Sequence, residues 1–217
     1  MSAAAQAAAG RPAEAVNPLQ RNDFRVLVEL VEPNSRVLDL GCGDGALLAL
    51  LREHKQATCY GVEMDPDGIL ACIGKGLSVF QGNLDEGLRD FEDQSFDYVV
   101  SDQSLTEVRR PEFMMREMLR VGKKAVFCFP NFAHWRIRLQ LLFRGRMPVD
   151  EVIPFQWFET PNIHHLTVAD FRAFCRHHGM RVLDQYFFRS LRGGRVSRAM
   201  AFPNWSAAYA LFVTARR

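Results

Sequence analysis

Two kinds of apolar text alternate along this chain. Short runs dense in Val, Leu, Phe and Tyr are separated by stretches in which apolar residues return every three or four positions. The first kind predicts seven strands: 37–40, 58–63, 77–84, 96–102, 125–129, 182–188 and 209–214. The second kind predicts helices. Phe24, Leu27, Val28 and Val31 fall at i, i+3, i+4 and i+7, so an amphipathic helix precedes the first strand and stops at Pro33-Asn34. Ala46 to Leu51 opens a second helix. Asp65, as N-cap before Pro66, opens a third that runs to about Lys75, and Pro111 opens a fourth to Arg120. Thr167 with Asp170 three residues on starts a capped helix that runs to about His178 and stops at Gly179. Strands alternating with helices predict an α/β fold, a doubly wound, mostly parallel sheet, closed by a hairpin-like final pair.

One junction carries more chemistry than the others. The run Val37-Leu38-Asp39-Leu40 breaks into Gly41-Cys42-Gly43-Asp44-Gly45 and then enters the helix at Ala46. Strand, tight turn and helix start form a nucleotide-type pocket at the carboxyl edge of a parallel sheet, where glycines let a ligand approach the backbone. A dinucleotide fingerprint spaces its glycines differently, and a carboxylate such as Asp44 inside the loop repels phosphate. Acids at Asp39 and Asp44 suit a cationic or zwitterionic ligand better. The pattern resembles motif I of the class I S-adenosylmethionine-dependent methyltransferases, with Asp39, Gly41, Cys42, Gly43 and Gly45 as the matching positions.

Spacing downstream extends this reading. Glu63 closes the second strand 22 positions after Gly41, where a carboxylate reaches both ribose hydroxyls. Asn83 and Leu84 end the third strand at the adenine edge. Methyltransferases usually carry Asp at the position of Asn83, but Asn still offers a carbonyl acceptor. Ser101 lies at the end of the fourth strand, the usual floor of the methyl-donor site.

Composition sets outer bounds. The 217 residues, 48% of them hydrophobic, suffice for one domain over 18–217 with a sizeable core. No apolar run approaches the ~18 residues of a membrane span. Residues 1–17 are Ala-rich without the form of a signal peptide and read as a disordered tail. Cys42, Cys59, Cys72, Cys128 and Cys175 are scattered and odd in number. That predicts free thiols, no metal site and a reducing, cytoplasmic setting. Residues 131–217 hold 13 Arg and Lys against 5 Asp and Glu, but the arginines are dispersed among strands and helices without an aromatic RNA-binding motif. Nucleic acid is therefore not the expected partner.

Residues 130–166 form an insertion after the fifth strand, placed to cover the carboxyl edge as a lid or partner surface. Its helix, to about Phe143, carries Trp135, Leu139, Leu142 and Phe143 on one face, with Ile137 and Leu141 round the other side. Such a helix is buried or docks on a partner. Trp135, Phe155, Trp157 and Phe158 among Arg136, Arg138 and Arg146 have the makeup of an interface hot spot. His134 or His164 is a candidate general base; His164 and His165 are adjacent, so only one can face a pocket, and no third ligand gives metal spacing. The Asn-Pro-Pro-aromatic motif of nucleic-acid amine methyltransferases is absent; Ser101-Asp102-Gln103-Ser104 stands there, and no catalytic residue is evident.

The stretches LDLGCGDGALL, GVEMD, GNLDEGL, REMLRVGKKAVFCFPNFAHWRIRLQLLFRGRMP and WFETPNIHHLTVADF together resemble the MetW family of methionine biosynthesis proteins over roughly 22–190. The resemblance implies a class I methyltransferase fold and a reversed edge strand. It also implies a role beside a homoserine O-acyltransferase (MetX), which depends on the family in some bacteria. Relatives tend to read Ser-Gln-Thr-Leu-Gln where this chain has its 101–107 stretch. Two functions follow as expectations: a regulatory partner that docks on the acyltransferase and binds S-adenosylmethionine, or a small-molecule methyltransferase.

Overall fold

A computed structural model describes residues 20–193 and 195–216. The tail expected at 1–17 lies outside the described residues. The amino half runs α1 (Asn22–Leu30), β1 (Arg36–Leu40), α2 (Ala46–Lys55), β2 (Thr58–Glu63), α3 (Pro66–Gly74), β3 (Ser78–Gln81) and β4 (Phe96–Asp102). It continues with α4 (Pro111–Val121), β5 (Gly122–Pro130), α5 (Trp135–Arg144) and α6 (Val168–His177). The last elements are β6 (Met180–Phe188), β7 (Val196–Ser197), α7 (Pro203–Ser206) and β8 (Tyr209–Arg216).

The strands form one sheet in the order β3-β2-β1-β4-β5-β8-β6-β7. Pairings from β3 to β5 are all parallel, and β8 enters antiparallel between β5 and β6. The described sheet thus has eight strands where the sequence pattern gives seven. The addition is β7, two half-buried residues against Phe187 and Phe188, too short to leave a periodic signature. β6 and β8 do pair, but the chain between them passes through β7 and α7 rather than a tight hairpin turn.

Alternation along the central strands separates two apolar layers. Leu38, Leu40, Val99, Phe127 and Phe129 face α4 and α6, against Met114, Met118 and Phe171. Val37, Tyr98, Val100 and Val126 face α1 and α2, against Leu27, Leu47 and Leu51. Each such side chain contributes about 1.5–3 kcal/mol when fully buried. Two helix starts follow their sequence signals. The Asp65 side chain accepts from the Gly68 amide at 3.1 Å, and Thr167 with Asp170 forms a reciprocal capping box.

Because β1 leads to β2 on one side and β4 to β5 on the other, the crossovers diverge between β1 and β4. A sheet of this kind opens a crevice at that point, above its carboxyl ends.

Candidate functional site

Gly41, Gly43 and Gly45 all hold positive φ (71°, 53° and 73°), which only glycine adopts without strain. Their surroundings differ. A Cβ on Gly45 would press into Leu77 and Cys72, so this glycine serves helix packing. One on Gly41 would come within 2.9 Å of the Ser104 Cβ. One on Gly43 would meet nothing within 4 Å: its backbone presents an open face. Cys42 points the other way, packing its buried thiol against Gly61 and 3.9 Å from the Cys72 Sγ.

Glu63 closes on that turn. Its Oε2 accepts the Gly43 amide at 2.7 Å, and its Oε1 accepts Met64 and Asp65 amides at 2.7 and 2.9 Å. The glycine bend and the end of β2 are therefore in direct contact, with the carboxylate held in place by three backbone donors. A crevice of about 150 Å³ lies beside them, lined by Gly41, Glu63, Asn83, Leu84, Ser104 and Glu107 among others. Asn83 uses its side-chain carbonyl to cap the following turn, accepting the Asp85 amide at 3.0 Å. The carbonyl expected to meet an adenine amino group thus already has one donor, leaving one lone pair and the amide NH₂. Ser101 is buried and bonds the Ser104 hydroxyl at 2.8 Å, while Ser104 donates to the Leu40 carbonyl at 2.6 Å. Ser101 thus reaches the crevice only through Ser104.

Two acids do not face the crevice as the sequence suggests. Asp44 is turned outward to Lys75 Nζ at 2.7 Å and also accepts the Ala46 amide. Burial pushes its carboxyl up, but Lys75 and the amide outweigh that and hold it below the ordinary range. Asp39 is 3% exposed, and its Oδ1 has no partner among the described residues. Burial, with Asp102 nearby, pushes its carboxyl up to about 8.

Glu107 is a site residue that the hydrophobic pattern does not reveal. It lines the crevice and also an adjoining cavity of about 650 Å³ bounded by Gln103, Pro130, Phe155, Asn162 and Arg189–Arg192. Burial and the charge of Glu63 raise its carboxyl above the ordinary range. The only sequence hint is position, an acid five residues past the end of β4. Gln103 reaches this wall from a left-handed backbone (φ 69°), a strained conformation for a side chain of its size.

The crevice alone is smaller than the ~300–1,000 Å³ of small-molecule pockets. A ligand as long as S-adenosylmethionine, placed along Gly43 and Glu63, would extend past Glu107. The open face of Gly43 and the carboxylate held 2.7 Å from its amide fit such a group. Glu63 would take the ribose hydroxyls and the Asn83–Leu84 turn the adenine edge.

Neither candidate general base, His134 or His164, borders the crevice, nor does His165. His134 directly precedes α5 and lines a different cavity, with Trp135 and Asp150. His164 and His165 both line a separate apolar cavity near Phe171, with His165 stacked on Phe132 at 4.5 Å. The insertion borders the carboxyl edge, since Phe155 and Asn162 share the large cavity with Gln103. Its helix is not buried all round, however. Ile137 is fully buried, while Leu142 and Phe143 are 74% and 77% exposed and Trp157 is 70% exposed. All five cysteines are free, and no helix among the described residues is long and apolar enough to cross a membrane.

Strand order, reversed β8 and the glycine bend define a class I methyltransferase fold. Solved structures share it at low identity. An S-adenosylmethionine-dependent methyltransferase from Archaeoglobus fulgidus matches with a TM-score of 0.65 and 16% identity, over 88% of this chain and 90% of that one. The [4+2]-cyclase SpnF matches with a TM-score of 0.62 and 17% identity, over 89% and 80%. The chain belongs to the MetW family, described as methionine biosynthesis protein MetW, whose model matches residues 21–214. A bifunctional methionine biosynthesis protein MetXA/MetW of Rhodopirellula baltica is 33% identical over 183 residues. That match takes in 80% of this chain but only 29% of the longer relative.

Proposed function

We propose that this chain serves methionine biosynthesis as the protein partner of a MetX-type homoserine O-acyltransferase, in the cytoplasm, and binds S-adenosylmethionine as a signal. The observation that carries this reading is the pairing of a nucleotide-type crevice with an exposed apolar and arginine-rich surface on the segment after β5. Leu142, Phe143, Trp157 and Phe158 stand in solvent on that segment, which also carries exposed Arg136, Arg138, Arg144 and Arg146. Apolar side chains exposed at this density mark interaction sites in soluble proteins. A relative whose name joins MetXA to MetW in one chain supports an association between the two activities. S-Adenosylmethionine is made from methionine, so a partner that binds it can report the output of the route. The test is co-purification with the native acyltransferase, then assay of that enzyme with and without this chain and S-adenosylmethionine. Full acyltransferase activity without the chain, unchanged by its addition, would refute the proposal.

A second reading is a small-molecule methyltransferase, and Glu107 is the observation that favours it. Its raised carboxyl sits between the crevice and a cavity large enough for an acceptor, the position for a base that takes a proton during methyl transfer. Methyl transfer to a metabolite that is lost in Glu107→Gln with donor binding retained would establish this reading.

A further inference from the structure

Three segments far apart in sequence meet at one place on the carboxyl edge of the sheet. Pro130 at the end of β5 and Phe188 at the end of β6 flank the same residue of β8, Tyr209. The start of α5, the Arg189–Arg192 turn after β6 and α7 just before β8 therefore emerge beside one another. Trp135, Arg136, Arg189 and Trp205 share the walls of one open hollow of about 490 Å³. Arg189 also borders the large cavity, with Arg192 and Phe155, so the face runs on without a break.

Positive charge on this face is uncompensated. Arg136, Arg138, Arg189 and Arg192 are all exposed, and among the described residues none of them pairs with a carboxylate. Asp150 on the hollow instead accepts the Val152 and Ile153 amides at 2.8 and 2.9 Å. Two of the guanidiniums are already held in place by indole rings, Arg136 at 5.4 Å from the centre of Trp135 and Arg138 at 5.4 Å from that of Trp205. Arg138 is fixed further by its Nε, which donates to the Ala133 carbonyl at 2.7 Å. Phe202, beside α7, stands 82% exposed on a left-handed backbone (φ 49°), a strained conformation for an aromatic residue. Arginine and tryptophan carry much of the binding energy at protein interfaces, where lysine is depleted, and all 13 basic residues of 131–217 are arginine. A phosphate backbone laid along these arginines would meet Asp150 and Glu151 on the hollow wall, whereas a folded partner can place its carboxylates between them.

We propose that this face, from Arg138 and Trp205 across to Arg189 and Arg192, docks an acidic surface segment of the acyltransferase, whose carboxylates supply the partners these arginines lack. The proposal rests on the acyltransferase reading. It adds the chemistry of the partner's surface and carries the docking face beyond residues 130–166 to the turn after β6 and to α7.

The test measures the affinity of the full chain for the purified native acyltransferase at low and high salt, with urea unfolding of each variant to show that it is folded. Arg136→Glu and Arg189→Glu, on separate segments, should each weaken binding about tenfold, or about 1.4 kcal/mol, and flatten its salt dependence. Arg189→Lys keeps the charge and should retain most of the affinity. Arg181→Glu makes the same change in net charge near the start of β6, at the opposite edge of the sheet, and should leave binding unchanged. No complex with the wild type would refute the acyltransferase reading, and this proposal with it. A complex that both Glu variants form as tightly as the wild type, or that Arg181→Glu weakens as much as they do, overturns the docking face alone. So does a mixed-sequence RNA, or a second copy of this chain, that the wild type binds more tightly than the acyltransferase and the same two variants lose.

Discussion

At Gly43 an added Cβ meets open space, and at Gly45 it presses on Leu77 and Cys72, although both residues hold the same left-handed backbone. The two positions should therefore respond differently to one methyl group. Gly43→Ala is expected to lose about 1–2 kcal/mol from the backbone alone and to weaken S-adenosylhomocysteine binding, because the new methyl stands on the face a ligand would cover. Gly45→Ala should lose about 1–3 kcal/mol more through overpacking. Urea unfolding of both variants beside calorimetric titration separates these outcomes; equal stability would contradict the packing role given to Gly45. Glu63 makes a complementary prediction. Its carboxylate is held by three amides before any ligand arrives, so Glu63→Gln should lose at least about tenfold in S-adenosylhomocysteine affinity, consistent with the ~1.5–3 kcal/mol of a charged hydrogen bond. Binding that survives the change would move the ribose away from β2.

Among the elements, α5 shows how far a hydrophobic pattern can be read. Its apolar residues lie nearly all round, and periodicity alone cannot say which of them meet the core. The structure resolves this: Ile137 is fully buried against the α1–α2 layer, and Leu142 and Phe143 stand in solvent. Ile137→Ala should then cost about 2–5 kcal/mol as a core truncation. Phe143→Asp should change the stability of the isolated chain by no more than about 0.5 kcal/mol and still abolish co-purification with the acyltransferase. A strongly destabilised Phe143→Asp would mean that the face is packed, not free. The same distinction separates what was legible from what was not. Strands, caps and the glycine bend announce themselves through local spacing, so β1 to β5 and the Thr167 box are readable. The partners of Asp44 (Lys75), Asn83 (Asp85) and Ser101 (Ser104) are hydrogen-bond choices made after folding, which residue type alone leaves open. Glu107 has no period to betray it, and β7 is too short to have one.

Across the molecule, the amino-terminal segment and the centre of the sheet share one buried charge cluster. Arg21 bonds Asp23 and, at 2.6 Å, Asp102 at the end of β4, while the side chain of Asn22 ties the same segment to the Ser190 carbonyl at 2.9 Å. One guanidinium thus faces two acids; burial with Asp102 nearby raises the Asp39 carboxyl, and burial with Asp39 nearby raises the Cys42 thiol. Burial raises Asp102 also, with Asp23 adding to the push and Arg21 opposing it. An acid whose folded value lies above its unfolded one binds more protons when folded. Its ionisation therefore removes stability as pH rises from near 4 through about 8 for Asp39. The slope is at most about 1.4 kcal/mol per pH unit for each such group. His134 and His165 act in the opposite sense, since burial lowers both and stability falls as they are charged below their ordinary value. That contribution is common to wild type and Asp39→Asn and cancels in their difference. Asp39→Asn should accordingly gain on the wild type steadily as urea unfolding is repeated from about pH 5 to about pH 8. A gap independent of pH would mean that Asp39 titrates as it does in the unfolded chain. Arg21→Gln should act the other way, leaving Asp23 and Asp102 without their cation at a cost of about 3–5 kcal/mol. That loss should be largest at high pH, where Asp102 is charged, and should shrink as acid neutralises it.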